Sequence, residues 1–126
     1  MNWQMSEQKP QPVSINLHKK TRLLSVSFDN GKSFDLSCEF LRVHSPSAEV
    51  MGHGPGQEVL QTGKENVTID DVEPVGHYAI KLYFSDGHNT GLYTWDYLYE
   101  LGINNDRYWQ QYLEALKKAG IERNIQ

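Results

Sequence analysis

Hydrophobic and polar residues alternate along much of the chain, which is the pattern of β-strands with one buried face. The strand-like runs cover residues 13–17, 24–28, 34–36, 67–75, 78–84 and a last run that ends at 92–93. Asn30-Gly31 and Asp86-Gly87 lie between consecutive runs, and these residue types tolerate the positive φ of a hairpin turn. The pattern therefore predicts antiparallel β-hairpins.

Two short helices are predicted where a strand run ends at a hydroxyl residue. Ser37 and Thr94 can each cap a helix, because their side chains accept hydrogen bonds from the free N–H groups of the first turn. The first helix runs from Cys38 to about Arg42, since Pro46 prevents a longer one. Gly102 is expected to end the second helix as its C′ residue.

A third, longer helix is predicted from Asn104 onward. Its apolar residues recur with the spacing of a single helical face, at Trp109, Tyr112, Leu113 and Leu116. The fold class is therefore α+β, with antiparallel hairpins or a sheet packed against two short helices and a longer C-terminal helix. The order of hairpin, capping residue and helix occurs twice, which indicates two similar units around one core.

The chain divides into three parts. Residues 1–12 are polar and rich in Pro and Gln, so we expect a flexible N-terminal tail. Residues 13–103 form the predicted domain, and residues 104–126 form the C-terminal helix packed on it. A length of 126 residues suits one domain with a modest core.

Charge and composition exclude several classes of function. The net charge of -4 argues against a nucleic-acid binder that depends on phosphate contacts. No apolar run approaches the roughly 20 residues of a membrane span. A single cysteine, Cys38, cannot form an internal disulfide, so we expect a reducing, cytoplasmic location and a packed, unreactive thiol.

Catalytic chemistry finds little support in the sequence. Ser45 and Ser47 lie close to His44 and Glu49, but the members of a catalytic triad normally come from separate segments. No nucleophile elbow of the form G-x-S-x-G is present. We therefore expect a protein that is not an enzyme.

Histidines in predicted loops provide an alternative function. His44, His53 and His88 would have to converge to bind zinc or iron, because a metal needs three or four ligands around one point. None of them is paired at the spacing of a typical metal motif, and solvated loop histidines are the simpler interpretation. No metal ligand is therefore assigned, and these three remain the candidates of the alternative.

The longer motifs resemble a known domain family. They are Leu41-Arg42, Ser45-Pro46-Ser47, Asp86-Gly87-His88, and Tyr93-x-Trp95 followed by Leu98. Together they make residues 13–103 similar to the family named for the N-terminal domain of gamma-butyrobetaine hydroxylase, which has small stand-alone bacterial members. The resemblance implies the fold of that domain. It does not imply the separate hydroxylase domain that holds iron and 2-oxoglutarate.

The same resemblance bears on a cofactor. In the hydroxylases this domain holds a structural zinc through a C-P-C-x-x-C motif and a later histidine. Those positions correspond here to Ser45, Ser47, Val50 and His88. Three of the four ligands are therefore absent, and we expect no cofactor.

We expect instead a hydrogen-bonded corner that replaces the metal, and a protein-interaction surface around it. The predicted residues of this corner and surface are Arg42, His44, Ser45, Ser47, Glu49, His53, His88 and Trp95. The resemblance also implies a link to iron–sulfur cluster or iron handling, with a Mrp-type iron–sulfur carrier as the protein partner. The predicted function is thus a non-catalytic accessory domain, with metal binding by the loop histidines as the alternative.

Overall fold

The computed structural model describes residues 9–52 and 54–126, which contain six strands and four helices. The strands are β1 (Pro12–His18), β2 (Leu23–Phe28), β3 (Ser33–Ser37), β4 (Ile69–Val75), β5 (Ala79–Phe84) and β6 (Leu92–Thr94). The helices are α1 (Cys38–Val43), α2 (Ala48–Met51), α3 (Trp95–Ile103) and α4 (Asn105–Lys118). The strands form two antiparallel three-stranded sheets, ordered β1-β2-β3 and β4-β5-β6. This arrangement confirms the predicted α+β class.

Each sheet ends in a hairpin followed directly by a helix, and the local geometry is nearly the same in both. Gly31 and Gly87 have φ values of +87° and +89° and donate to the carbonyl three residues earlier, at 3.1 and 3.0 Å. Ser37 and Thr94 accept a hydrogen bond from the N–H three residues later, at 3.0 and 3.2 Å. The turn and cap signals in the sequence therefore have the structural roles that their chemistry predicts.

One hydrophobic core joins the two sheets to the helices. Alternate residues of β2 are buried, as the period of a strand with one covered face requires. The core contains side chains of both sheets, α1 and α3, including Leu24, Val26, Leu36, Phe40, Ile80, Leu82, Tyr93, Leu98 and Leu101. Cys38 is buried within it, and burial raises the pKa of its thiol.

Two local features differ from the predictions. The segment after α1 contains the one-turn helix α2, which the sequence pattern does not reveal because the helix is too short to show periodicity. Gly102 is not a C′ residue, because α3 continues to Ile103 and Asn104 caps it. Gly102 is instead buried against Phe34, and a Cβ atom there would lie 2.4 Å from the ring.

The ends of the chain also differ in detail from the predicted boundaries. Residues 1–8 of the expected tail lie outside the described residues, and Pro12 already belongs to β1. The last helix ends at Lys118, and residues 121–126 continue without helix or strand. No helix among the described residues has both the length and the apolar content needed to cross a membrane.

Replacing Gly102 by Ala tests the close contact between α3 and β3. Alanine is the better helix former, so a purely local effect would stabilise the protein. We expect the contact with Phe34 to dominate and the free energy of unfolding to fall by about 1–3 kcal/mol in urea denaturation. Gly54→Ala, where a Cβ meets nothing within 4 Å, is the matched control. Equal stability of the Gly102→Ala variant and the wild type would contradict this packing.

Candidate functional site

Two loops from the two sheet–helix units meet at one point. Ser45 and Ser47 lie between α1 and α2, and His88 and Thr90 follow the turn of the β5–β6 hairpin. We call the group formed by Ser45, Ser47, Glu49, His88 and Thr90 the serine corner. It joins parts of the chain that are more than 40 residues apart in sequence.

The centre of the serine corner is a buried hydrogen bond between Ser45 and His88. The Ser45 Oγ lies 2.7 Å from His88 Nε2, and Ser45 is 0% exposed. Burial, together with the nearby Arg42 guanidinium, lowers the pKa of His88 below its usual value. The ring is therefore neutral at pH 7. One of the two atoms, Ser45 Oγ or His88 Nε2, donates the hydrogen of this contact and the other accepts it.

Ser47, Thr90 and Glu49 extend the corner toward the surface. Thr90 donates its hydroxyl proton to Glu49 Oε1 at 3.0 Å, so Ser47 Oγ donates to Thr90 Oγ1 at 2.7 Å. Ser47 Oγ also accepts the N–H of Glu49 at 3.2 Å, which caps α2. One side chain thus starts the short helix and ties it to the hairpin.

A glycine allows the two loops to approach this closely. Gly91 is buried, and a Cβ atom at this position would lie 2.4 Å from Ser45 Oγ and 3.0 Å from Pro46 Cδ. Real Cβ atoms essentially never lie within 3.0 Å of another heavy atom, so the 2.4 Å distance to Ser45 Oγ excludes a side chain in this arrangement. The absence of a side chain at Gly91 is therefore part of the corner.

Arg42 provides an ionic link beside the corner. Its side chain is 8% exposed and donates from Nε to Asp86 Oδ2 at 2.9 Å, while Nη1 donates to Gln61 Oε1 at 3.1 Å. Partial burial acts to raise the pKa of Asp86, but hydrogen bonds from Lys64, the His88 N–H and Arg42 outweigh it and lower that pKa to about 2. Arg42 is thus held inside the fold and is not available to a partner.

His44 lies at the end of α1, and its side chain also makes contacts within the fold. Its Nδ1 lies 2.9 Å from the carbonyl oxygen of Phe40, to which it donates, and its ring stacks on Tyr108 with 5.8 Å between centroids. Burial lowers the pKa of His44 despite that hydrogen bond. The Tyr97 hydroxyl donates to the backbone carbonyl of His44 at 2.6 Å, which fixes the start of the loop.

The donor set of the serine corner does not fit zinc. The positions that match cysteine ligands hold two hydroxyls and the buried Val50, and the Ser45 hydroxyl is already bonded to His88. Among the described residues, no group of three or more His, Cys, Asp or Glu side chains is placed to hold a metal ion. His53, the third histidine of the alternative, lies outside the described residues.

Ser45, His88 and Glu49 have the residue types of a catalytic triad, but a substrate cannot reach them. Glu49 Oε2 lies 3.7 Å from His88 Nδ1, beyond hydrogen-bond range. The nucleophile of a triad must reach a substrate carbonyl, whereas Ser45 is covered on all sides. The arrangement can stabilise a corner, but in this conformation it cannot attack a substrate.

Trp95 lies at a different place from the other predicted site residues. Its indole N–H donates to the carbonyl oxygen of His77 at 2.7 Å, beside the turn between β4 and β5. It borders a shallow surface cleft together with Lys9, Gln11 and Tyr78. The structure therefore groups Trp95 with this turn.

Several residues that build the site were missed in the sequence. Thr90 and Gly91 follow the Asp86-Gly87-His88 turn after one intervening residue, Asn89, and their small or hydroxyl side chains were the available signal. Lys64 is a further contributor, because it donates to Asp86 at 2.7 Å from a loop with no motif. No buried side-chain nitrogen or oxygen among the described residues lacks a hydrogen-bond partner.

Comparisons with known proteins agree with this architecture. The family model described as gamma-butyrobetaine hydroxylase-like, N-terminal, matches residues 15–99. A protein with an NMR solution structure is 51% identical with a TM-score of 0.81, and the match covers 94% of each chain. A second NMR solution structure is 50% identical with a TM-score of 0.80, and covers 94% of this chain and 89% of its own.

A crystal structure at 1.93 Å extends the comparison. It shows a protein of unknown function of the DUF971 family from Acidithiobacillus ferrooxidans ATCC 23270. That protein is 42% identical with a TM-score of 0.62, and the match covers 73% of this chain and 92% of that one. No curated protein matches the chain.

Replacing His88 by Ala removes the central partner of Ser45. We expect the free energy of unfolding to fall by about 2–4 kcal/mol, because a buried hydroxyl loses its partner and a cavity remains. His77→Ala, at an exposed turn, is the matched control and should change little. Elemental analysis of the wild type should find no stoichiometric zinc. One tightly bound zinc per chain, or an unchanged melting temperature, would contradict the account.

Stability should depend on the protonation of the buried histidines. The folded state lowers the pKa of His44 and of His88, so the unfolded chain binds more protons below the usual value of about 6.5. The contribution of these two histidines to the free energy of unfolding should therefore be complete about one pH unit above the usual value and fall as the pH is lowered through and below it. Urea denaturation should show a smaller fall for His88→Gln. An identical fall in both proteins would contradict the assigned role of His88.

Proposed function

Because the chain belongs to the gamma-butyrobetaine hydroxylase-like, N-terminal family, we propose that it acts as a non-catalytic accessory domain that binds a protein partner. The recognition surface is formed by residues 51–52 and 54–60, which lie next to the serine corner at the end of α2. The proposed partner has an apolar patch with a basic rim, which would complement the exposed apolar and acidic side chains described below.

The observation that carries the proposal is a set of exposed apolar side chains on this segment. Met51, Val59 and Leu60 are 44%, 53% and 38% exposed. The N–H of Val59 donates to the carbonyl oxygen of Val50 at 2.8 Å, which brings the two ends of the glycine-rich loop together. Neighbouring exposed apolar side chains are typical of surfaces that bind another protein.

A tight backbone turn holds this surface in shape. Gly52 has a φ of +75°, and a Cβ atom there would lie 2.2 Å from the carbonyl oxygen of Gln57. Only glycine permits such a contact, so the loop is closed on itself. A preformed surface loses less entropy on binding than a mobile one, which favours recognition.

Acidic residues border the apolar group. Glu49 precedes it and its side chain is 66% exposed, and the exposed Glu58 directly precedes Val59. A partner with Lys or Arg around an apolar patch would complement this rim in charge. The net charge of -4 acts in the same direction over longer distances.

A link to iron–sulfur cluster or iron handling, through a Mrp-type iron–sulfur carrier, remains the specific form of the proposal. It comes from the family resemblance. The donor set at the serine corner supports an accessory role, because the two serines, Val50 and His88 do not fit a metal ion. In this proposal the chain contacts the carrier and leaves the cluster to it.

Val59→Asp tests the proposed surface. We expect isothermal titration of a purified Mrp-type carrier to give affinity at least about tenfold weaker for this variant than for the wild type, because a charge replaces an apolar contact. Val13→Asp is the matched control, since Val13 is 67% exposed on β1, outside the proposed surface. Equal weakening by both variants would contradict the surface. No binding to the wild type would contradict this partner.

A further inference from the structure

The segment after α4 continues along the surface without helix or strand. Gly120, with a φ of +71°, turns the chain at the end of α4, and the N–H of Ile121 donates to the carbonyl oxygen of Leu116 at 2.9 Å. Residues 121–126 then lie against α1, α4 and the loop before β4 without forming helix or strand. Their contacts resemble those of a bound ligand in two respects.

The first resemblance is a pocket for one arginine. Glu39, in the first turn of α1, is 7% exposed, and both of its carboxylate oxygens accept hydrogen bonds from Arg123. The Arg123 Nε lies 2.9 Å from Oε2, and the guanidinium lies 5.0 Å from the centroid of the Trp109 ring. A buried carboxylate beside an aromatic face selects the flat, forked guanidinium over the ammonium group of lysine.

The second resemblance is a set of hydrogen bonds between the side chains of Glu65 and Asn66 and the main chain of the segment. The Asn66 side chain donates to the carbonyl oxygen of Asn124 and accepts the N–H of Gln126, both at 2.8 Å. Glu65 accepts the N–H of Asn124. These bonds run from side chains to the backbone of residues 124 and 126, so they do not depend on the side chains of the segment.

Apolar burial contributes little to holding the segment. Ile125 is 69% exposed and Ile121 is 36% exposed. The segment therefore depends on one ion pair and a few main-chain bonds, and such segments open at low free-energy cost. A competing peptide with the same polar pattern needs to replace only those contacts.

We propose that the groove formed by Glu39, Glu65, Asn66 and Trp109 binds an extended, arginine-containing segment of a partner protein. Residues 121–126 occupy this groove within the chain and compete with that partner. The pattern that the groove accepts is an arginine followed by a residue whose main chain pairs with Asn66. This groove does not include Met51, Val59 or Leu60, and the proposal does not depend on the function proposed above.

The test uses the full chain and the acetylated, amidated peptide IERNIQ, which repeats residues 121–126. NMR signals of the Trp109 indole and the Asn66 side-chain amide report binding. We expect Arg123→Gln to bind the peptide at least about tenfold more tightly than the wild type, because its own segment has lost a charged, bidentate contact. Arg123→Lys serves the same purpose if the Gln variant does not fold by circular dichroism.

Control peptides make the test specific. IEANIQ and IEKNIQ, with Ala or Lys in place of the arginine, should each bind at least about tenfold more weakly than IERNIQ. The absence of peptide binding by folded Arg123 variants, or equal binding of all three peptides, would overturn the proposal. A wild-type dimer in sedimentation that Arg123→Gln abolishes would identify a second copy of the chain as the occupant, and would also overturn it.

Discussion

The hydrogen bond between the Ser45 hydroxyl and the His88 imidazole constrains the rest of the site. It joins the loop after α1 to the hairpin of the second sheet, across 43 residues of sequence. Because both side chains are buried, the loss of one leaves the other without this hydrogen-bond partner. Gly91 lies against Ser45 at this junction, and Ser47, which begins α2, lies two residues further along the same loop.

Hydrogen bonds and a metal ion stabilise such a junction in different ways. A structural zinc contributes much of its binding free energy to folding at a single point. The serine corner distributes the task over several hydrogen bonds of about 1 kcal/mol each, and over the ion pair of Arg42 with Asp86. Such a network requires a neutral His88, so it weakens with acid, and it requires small residues where the chains touch.

The sequence was sufficient for features that local physics determines. Period-two alternation, the Asn30-Gly31 turn and the Ser37 and Thr94 caps depend on a few adjacent residues, and the α+β class follows from them. Gly102 was misassigned because its role comes from the Phe34 ring, which is distant in sequence.

The same limitation applies to the site. Helix α2 is too short to show periodicity, and the contact of Ser47 with Thr90 joins residues 43 positions apart, so neither was predicted from the sequence. Residues of one predicted surface proved to lie in different surroundings. Arg42 is inside the fold and Trp95 lies beside the turn between β4 and β5. The most direct measurement of the central claim is a double-mutant cycle of Ser45→Ala and His88→Ala. A coupling energy of about 1–2 kcal/mol is expected, and additive losses within about 0.3 kcal/mol would show that the two side chains do not hold the corner together.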